Sequence, residues 1–213
     1  MPHFEYEIES WNKGYTIVGI DEVGRGSLAG PITLGACVLR ELTPDEQSLW
    51  LSYGLNDSKT LSPEKREQIA QILQSIPYRT YTTSICVSEI NASGIMHAWR
   101  SGVVQLQTRI RLDYPDNVFT FLIDGPQVKD IPYKEPVHSV SIVKGDTKSI
   151  SIAAASIVAK VTRDAYMTKL SELYPTYRWE QNKGYGTLSH RDAIRAHGIS
   201  PWHRTLFVRT LVG

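Results

Sequence analysis

The chain has 213 residues, 41% hydrophobic and 21% charged, ordinary proportions for a soluble globular protein with a sizeable core. No apolar run approaches the roughly 18 residues of a membrane span. The opening MPHFEYEIES carries three glutamates where a secretory signal would be basic and then apolar, so a cytoplasmic protein is expected. The net charge of +1 hides an asymmetry: residues 1–143 hold 12 Lys/Arg against 17 Asp/Glu, and residues 144–213 hold 11 against 5. A basic C-terminal third suits a polyanionic partner, although basic residues also coat ordinary solvent-facing helices.

In chain order, YTIVGI (15–20) and ITLGACVL (32–39) read as two β-strands able to pair. SPEKREQIAQIL (62–73) opens with a Ser cap, Pro at the first helical position and an early Glu, which marks a helix start. RTYTTSICV (79–87) predicts a strand, and residues 97–112 place apolar side chains at helical spacing despite Gly102. VFTFLI (118–123) and VHSVSIV (137–143) predict further strands, the second half-buried. A long helix is expected over about 148–173, ended by Pro175, and a short one over 189–197. This mixture predicts an α/β fold around a central mixed sheet. Cys37 and Cys86, without CxxC spacing, read as buried free thiols. The five tryptophans are scattered and read as packing residues, and His190 as a surface histidine.

Residues 19–31, GIDEVGRGSLAGP, carry the first chemical signal. Gly24–Ala29 fits the dinucleotide-binding pattern G-x-G-x-x-A, but Pro31 and the β-branched run behind it leave no helix to receive a pyrophosphate. Ser27 lacks the flanking glycines of a hydrolase elbow. A carboxylate metal site fits better. Asp21 follows IVGI, Asp124 follows TFLI, and Asp146 ends IVKGD before the long helix, so three acids stand at strand ends on one sheet rim. Singly, Asp124 suits a turn and Asp146 a helix cap. Adjacent strand side chains face opposite ways, so Glu22 should not point as Asp21 does unless the backbone turns; its carbonyl is an alternative donor.

Taken together, GIDEVGRGSLAGP, LNDSKTLS (55–62), LIDG (122–125), KGDTKSISIAAASIVAKVTRD (144–164), NKGYGT (182–187) and SPWHRTLF (200–207) resemble, in order, the motifs of type 2 ribonuclease H, the bacterial ribonuclease HII family. Ile32-Thr33-Leu34 and Trp202 depart from the usual pattern, away from any proposed ligand. The resemblance implies a ribonuclease H-like core over 1–173 and a helical extension over 174–213 packed on it as one integrated domain. It implies metal-dependent endonucleolytic cleavage of RNA in RNA–DNA hybrids, and incision beside single ribonucleotides in duplex DNA, as in ribonucleotide excision repair. Its catalytic and metal-ligating set is Asp21, Glu22, Asp124 and Asp146, with Asp164 a rival for the fourth place. Two Mg²⁺ or Mn²⁺ ions are expected with substrate bound, and the chain is expected to act as a monomer. The implied substrate contacts are Gly24, Arg25 and Gly26 at the ribose and Tyr185 at the RNA-to-DNA step, with Lys59, Lys148, Lys160 and Lys183 as candidates for phosphate contacts. A related nuclease acting on DNA, and a hybrid-binding module without catalysis, are the competing readings.

Overall fold

The structure, a computed structural model, describes residues 1–56, 58, 60–75, 80–125 and 138–211. Its strands are β1 (Thr16–Val23), β2 (Ile32–Leu39), β3 (Thr80–Ile85), β4 (Phe119–Asp124) and β5 (His138–Ile142). They form one mixed sheet in the order β3-β2-β1-β4-β5. β1, β2 and β3 meander antiparallel, whereas β4 and β5 run parallel to β1. The helices are α1 (Glu5–Trp11), α2 (Pro44–Ser52), α3 (Pro63–Ser75), α4 (Val87–Ser93), α5 (Ile95–Asp113), α6 (Ile150–Leu173), α7 (Trp179–Asn182), α8 (Leu188–His197) and α9 (Thr205–Val208). The expected α/β architecture is therefore present.

Strand alternation sorts the core into two layers. Ile17, Cys37 and Leu122 pack with Ile152 and Ala155 of α6, while Val18, Ile20, Leu34 and Phe121 pack with Val103 and Leu106 of α5. Glycines set how closely the helices approach. A Cβ at Gly19 would stand 2.2 Å from the Ser151 carbonyl carbon, and one at Gly35 2.3 Å from the Ala155 oxygen, so α6 lies directly on the β1 and β2 backbones. On the opposite face Gly102 receives Leu34, whose Cδ1 would be 2.5 Å from an added Cβ. That contact explains a glycine in mid-helix, where it costs about 1 kcal/mol relative to Ala.

Helix α6 begins at Ser149, whose hydroxyl accepts from the Ile152 N–H. Glu7, fully buried on α1, reaches across to accept from the Ser149 hydroxyl and from the Ser151 N–H and hydroxyl. Negative charge there complements the helix dipole. Asp146 instead occupies a 3₁₀ turn over Gly145–Thr147, so it is not the cap of α6. A third apolar cluster joins Ala29, Met167 and Leu170 to Tyr177, Trp179, Ile194 and Val208, seating the C-terminal segment on the end of α6.

Several expectations need correction. Cys37 is buried, its thiol pushed up to about 12 by burial, but Cys86 is exposed. His190 is fully buried. Strand β5 is mostly exposed, with only Ile142 buried, because it is an edge strand among the described residues. The sequence reading also passed over α1, α2, α4, α7 and α9. For α2 a signal was present: Thr43 and Glu46 form a reciprocal capping box with Pro44 between them. The others are seven residues or shorter, too short for a clear periodicity.

Candidate active site

β1 does not stop before its acids. It runs through Asp21 and Glu22 to Val23, pairing them with Gly35 and Leu34 of β2. The two side chains therefore face opposite layers, as alternation requires. Asp21 points toward α6, where it shares the cavity wall with Ser156, whose hydroxyl counters part of the rise that burial imposes on the Asp21 pKa. Glu22 points toward α5, where its Oε2 accepts from Trp99 Nε1 at 2.9 Å. The parallel register matches Ile20 with Ile123, which sets Asp124 beside Asp21 on the α6 face. Asp124 Oδ1 accepts from the Gly145 N–H at 2.6 Å, so the turn carrying Asp146 is tied to the end of β4.

Electrostatics bind three of these acids into one unit. Burial pushes Asp21 well above the usual carboxylate range; the Glu22 charge adds to this, Ser156 opposes it, and Asp124 pushes it further up. Glu22 is also raised, chiefly by burial, against the pull of Trp99 and Arg25, with Asp124 again pushing upward. Asp146 is buried on the adjoining turn, whose Gly145 N–H donates to Asp124. Among the described residues no three His, Cys, Asp or Glu side chains form a ready cage for an ion. The donor set nevertheless fits a hard divalent cation. Hard carboxylate oxygens lie in a poorly solvated rim where a cation would relieve their mutual repulsion, and Mg²⁺-type ions complete their shells with water and phosphate oxygens.

A cavity of about 450 Å³ opens at this rim, lined by Asp21, Glu22, Gly24–Gly26, Ser58, Ser156, Lys160 and Tyr185. Ser58 and Ser156 share a hydrogen bond of 2.9 Å, and Arg66 anchors the segment through the Ser58 carbonyl at 2.7 Å. Gly24 has φ +88°, a conformation that favours glycine, whereas a Cβ on Gly26 would meet nothing within 4 Å. Arg25 turns back over the acids, with Nη1 3.6 Å from Glu22 and Nη2 donating to Met96 Sδ at 3.0 Å.

The lysines divide. Lys160 lines the cavity and pairs with Asp164 at 2.7 Å. Lys183 donates to Thr168 and to the Glu180 carbonyl. Both Lys183 and Asp164 line a larger hollow of about 910 Å³ between α3, α6 and α7, which among the described residues shares Lys160 alone with the cavity. Lys148 is exposed on the turn before α6, and Lys59 lies outside the described residues.

Behind Tyr185 stands a buried imidazole pair: His203 and Arg204 read from the sequence as a structural tail contact, whereas His190, read as a surface histidine, is buried with His203. Trp179 Nε1 donates to His190 Nε2 at 3.1 Å, so His190 carries its proton on Nδ1 and donates to the Tyr185 carbonyl at 2.9 Å. His203 Nδ1 accepts from the Ser200 N–H, leaving its Nε2–H to donate to His190 Nε2 at 3.1 Å. Both are neutral: burial lowers the pKa of each, and the neighbouring His190 helps bring His203 down to about 4. Trp99 reads from the sequence as a packing residue, and Ser156, like Ser58, as a phosphate donor or a local cap; nothing in a single sequence marks a core Trp or a helical Ser as the neighbour of a distant acid.

Comparison with known proteins gives one answer. A family model described as "Ribonuclease HII" matches residues 18–211. Ribonuclease HII of Magnetococcus marinus is 42% identical over 196 residues, covering 90% of this chain and 84% of that protein. The Shouchella clausii ribonuclease HII is 39% identical over 205 residues, covering 96% and 73%. Among solved structures, ribonuclease HII in its PCNA complex from Archaeoglobus fulgidus superposes with TM-score 0.70 at 24% identity, over 92% of this chain and 95% of that one. Bst ribonuclease HIII, solved with Mn²⁺, gives 0.66 at 20% identity, over 86% and 63%; at such identities the superpositions speak for the fold alone. The ordered motifs, the sheet with its acidic rim and the match along nearly the whole chain converge: the chain belongs to the ribonuclease HII family of type 2 ribonuclease H endoribonucleases.

Proposed function

We propose that the protein hydrolyses the RNA strand of RNA–DNA hybrids and incises on the 5′ side of single ribonucleotides in duplex DNA, leaving 3′-hydroxyl and 5′-phosphate ends. The observation that carries this reading is the coupled Asp21–Glu22–Asp124 unit at the rim of a cavity walled by a glycine-rich loop and Tyr185. Asp21, Glu22 and Asp124, with Asp146 on the adjoining turn, would hold Mg²⁺ or Mn²⁺, as a pair when substrate is bound. Such ions supply charge neutralisation at the scissile phosphate and lower the pKa of water.

The chain's own groups do the selecting. Within the Gly24–Gly26 loop the space beside Gly26 is empty to 4 Å, which leaves that backbone free to approach a ribose 2′-hydroxyl, the group that separates RNA from DNA. Tyr185 offers a ring on which the next sugar stacks. Lys160 at the cavity wall, with Lys59, Lys148 and Lys183, takes phosphates, which position the duplex without reading bases. His190 and His203 are neutral and bonded to each other, so they hold Tyr185 in place rather than exchange protons.

A DNA duplex holding one ribonucleotide, incubated with and without Mg²⁺ beside an all-DNA control, tests the whole reading. Incision only with metal, 5′ to the ribose, is expected; cleavage of the all-DNA duplex would favour a DNA nuclease. Asp21→Asn and Asp124→Asn should abolish turnover while leaving hybrid binding, and wild-type rates in either would remove the metal role.

A further inference from the structure

Arg163 has no part in the chemistry above, yet it is fully buried beneath both substrate-reading elements. Its Nε donates to the Pro31 carbonyl at 2.9 Å, and its Nη2 to Ser27 Oγ at 3.0 Å and the Ala29 carbonyl at 3.1 Å. Its Nη1 turns to the other element and donates to the Lys183 carbonyl at 2.9 Å. The guanidinium carbon lies 5.5 Å from the centre of the Tyr185 ring. Gly24 rests directly on the same group, since a Cβ there would be 2.1 Å from Arg163 Nε. One planar cation thus touches the Gly24–Pro31 loop and the Lys183–Tyr185 turn together.

The two elements also meet directly, the Leu28 and Ala29 N–H groups both donating to the Gly184 carbonyl at 2.8 and 3.2 Å. Arg204 closes the loop from its far side, with donors to the Arg25, Leu28 and Gly30 carbonyls. Loop carbonyls from 25 to 31 are drawn inward, so the loop has little freedom to drift from Tyr185. A guanidinium suits this task because its donors diverge in a rigid plane, which an ammonium cannot imitate.

We propose that Arg163 is a positioning residue that sets the spacing between the Gly24–Gly26 loop and Tyr185, and so determines the preference for an RNA-to-DNA junction over a uniform hybrid. This rests on the reading of that loop and of Tyr185 given above. Two successive sugars lie a set distance apart along a strand. A reader that grips the first hydroxyl and stacks on the next sugar discriminates only if its two halves match that distance, and a misplacement of about 1 Å costs on the order of a hundred-fold in rate. A residue that merely stabilised the fold would lower cleavage of all substrates alike.

The test compares kcat/KM for a duplex with one ribonucleotide against a uniform hybrid, using the full chain and its Arg163→Lys, Ser27→Ala and Tyr185→Ala variants, each checked by thermal melting. Arg163→Lys keeps the charge and loses the fork; the junction-to-hybrid ratio should fall about ten-fold, with the Mg²⁺ concentration for half-maximal hybrid cleavage unchanged. Ser27→Ala removes one hydroxyl acceptor and should shift the ratio in the same direction by a smaller factor. Should Arg163→Lys fail to fold, Ser27→Ala decides alone. Ratios unchanged in these variants, with Tyr185→Ala shifting it, would overturn the role of Arg163 and leave the junction reading intact. An unchanged ratio in Tyr185→Ala would overturn the reading itself and this inference with it.

Discussion

Replacing Gly35 with Ala tests how the fold aligns its acids. Gly35 pairs with Asp21 across β1 and β2, and its missing side chain is the space that the Ala155 carbonyl of α6 fills. An added Cβ would stand 2.3 Å from that oxygen and 3.0 Å from the Ala159 Cβ and N. Ordinary contact begins near 3.4 Å, so helix and strand must separate locally by about 1 Å, and both opposing groups are backbone or close to it. Overpacking of this kind costs about 1–3 kcal/mol. In a domain of this size each kcal/mol lowers Tm by about 2–4 °C, so a fall of several degrees is expected. Ser156, the residue after Ala155, would withdraw from Asp21, and a shift of about 1 Å at a reacting site costs on the order of a hundred-fold. Thermal denaturation and a cleavage assay on the same preparation would measure both. A Gly35→Ala protein with unchanged Tm and full activity would show that α6 does not hold the acidic rim in place.

Gly26→Ala makes the opposite case: its Cβ would meet nothing, so Tm should stay within about a degree, while hybrid cleavage should fall because the added methyl stands where a sugar must approach. Unchanged cleavage would remove Gly26 from the substrate contacts. Trp99→Phe keeps the buried ring but removes the N–H that donates to Glu22, a bond to a charged group worth about 1.5–3 kcal/mol. The Mg²⁺ concentration for half-maximal activity should rise roughly ten-fold, and an unaltered metal titration would contradict this. The imidazole pair predicts acid lability. His203 is held neutral in the fold down to about pH 4 but gains a proton near 6.5 when unfolded, so the folded state has full stability above 6.5. It loses up to about 3 kcal/mol as pH falls from 6.5 to 4. Urea denaturation across that range should show a flatter pH slope in His203→Gln than in the parent, and equal slopes would refute the assignment.

The strands and longer helices were legible because their apolar spacing is a local property of the chain, and the acids were legible because charge at the end of an apolar run is unusual. The direction of Glu22 away from Asp21 also followed from strand alternation alone, although β1 runs on through both acids rather than ending before them. Short elements such as α1 were not legible, because seven residues give no period, and nothing in MPHFEYEIES announces that Glu7 reaches the start of α6. His190, polar and beside a turn, reads as a surface residue until its burial against Trp179 and His203 is seen. Sequence by itself determined the kinds of group available and their order along the chain. Only the tertiary structure decided which of them meet: the α6 face reaches Asp21 because two glycines on different strands leave room for it, and Arg163 lies under Gly24 and Tyr185, residues far from it along the chain. Such contacts depend on the relative placement of whole elements, which no local pattern encodes.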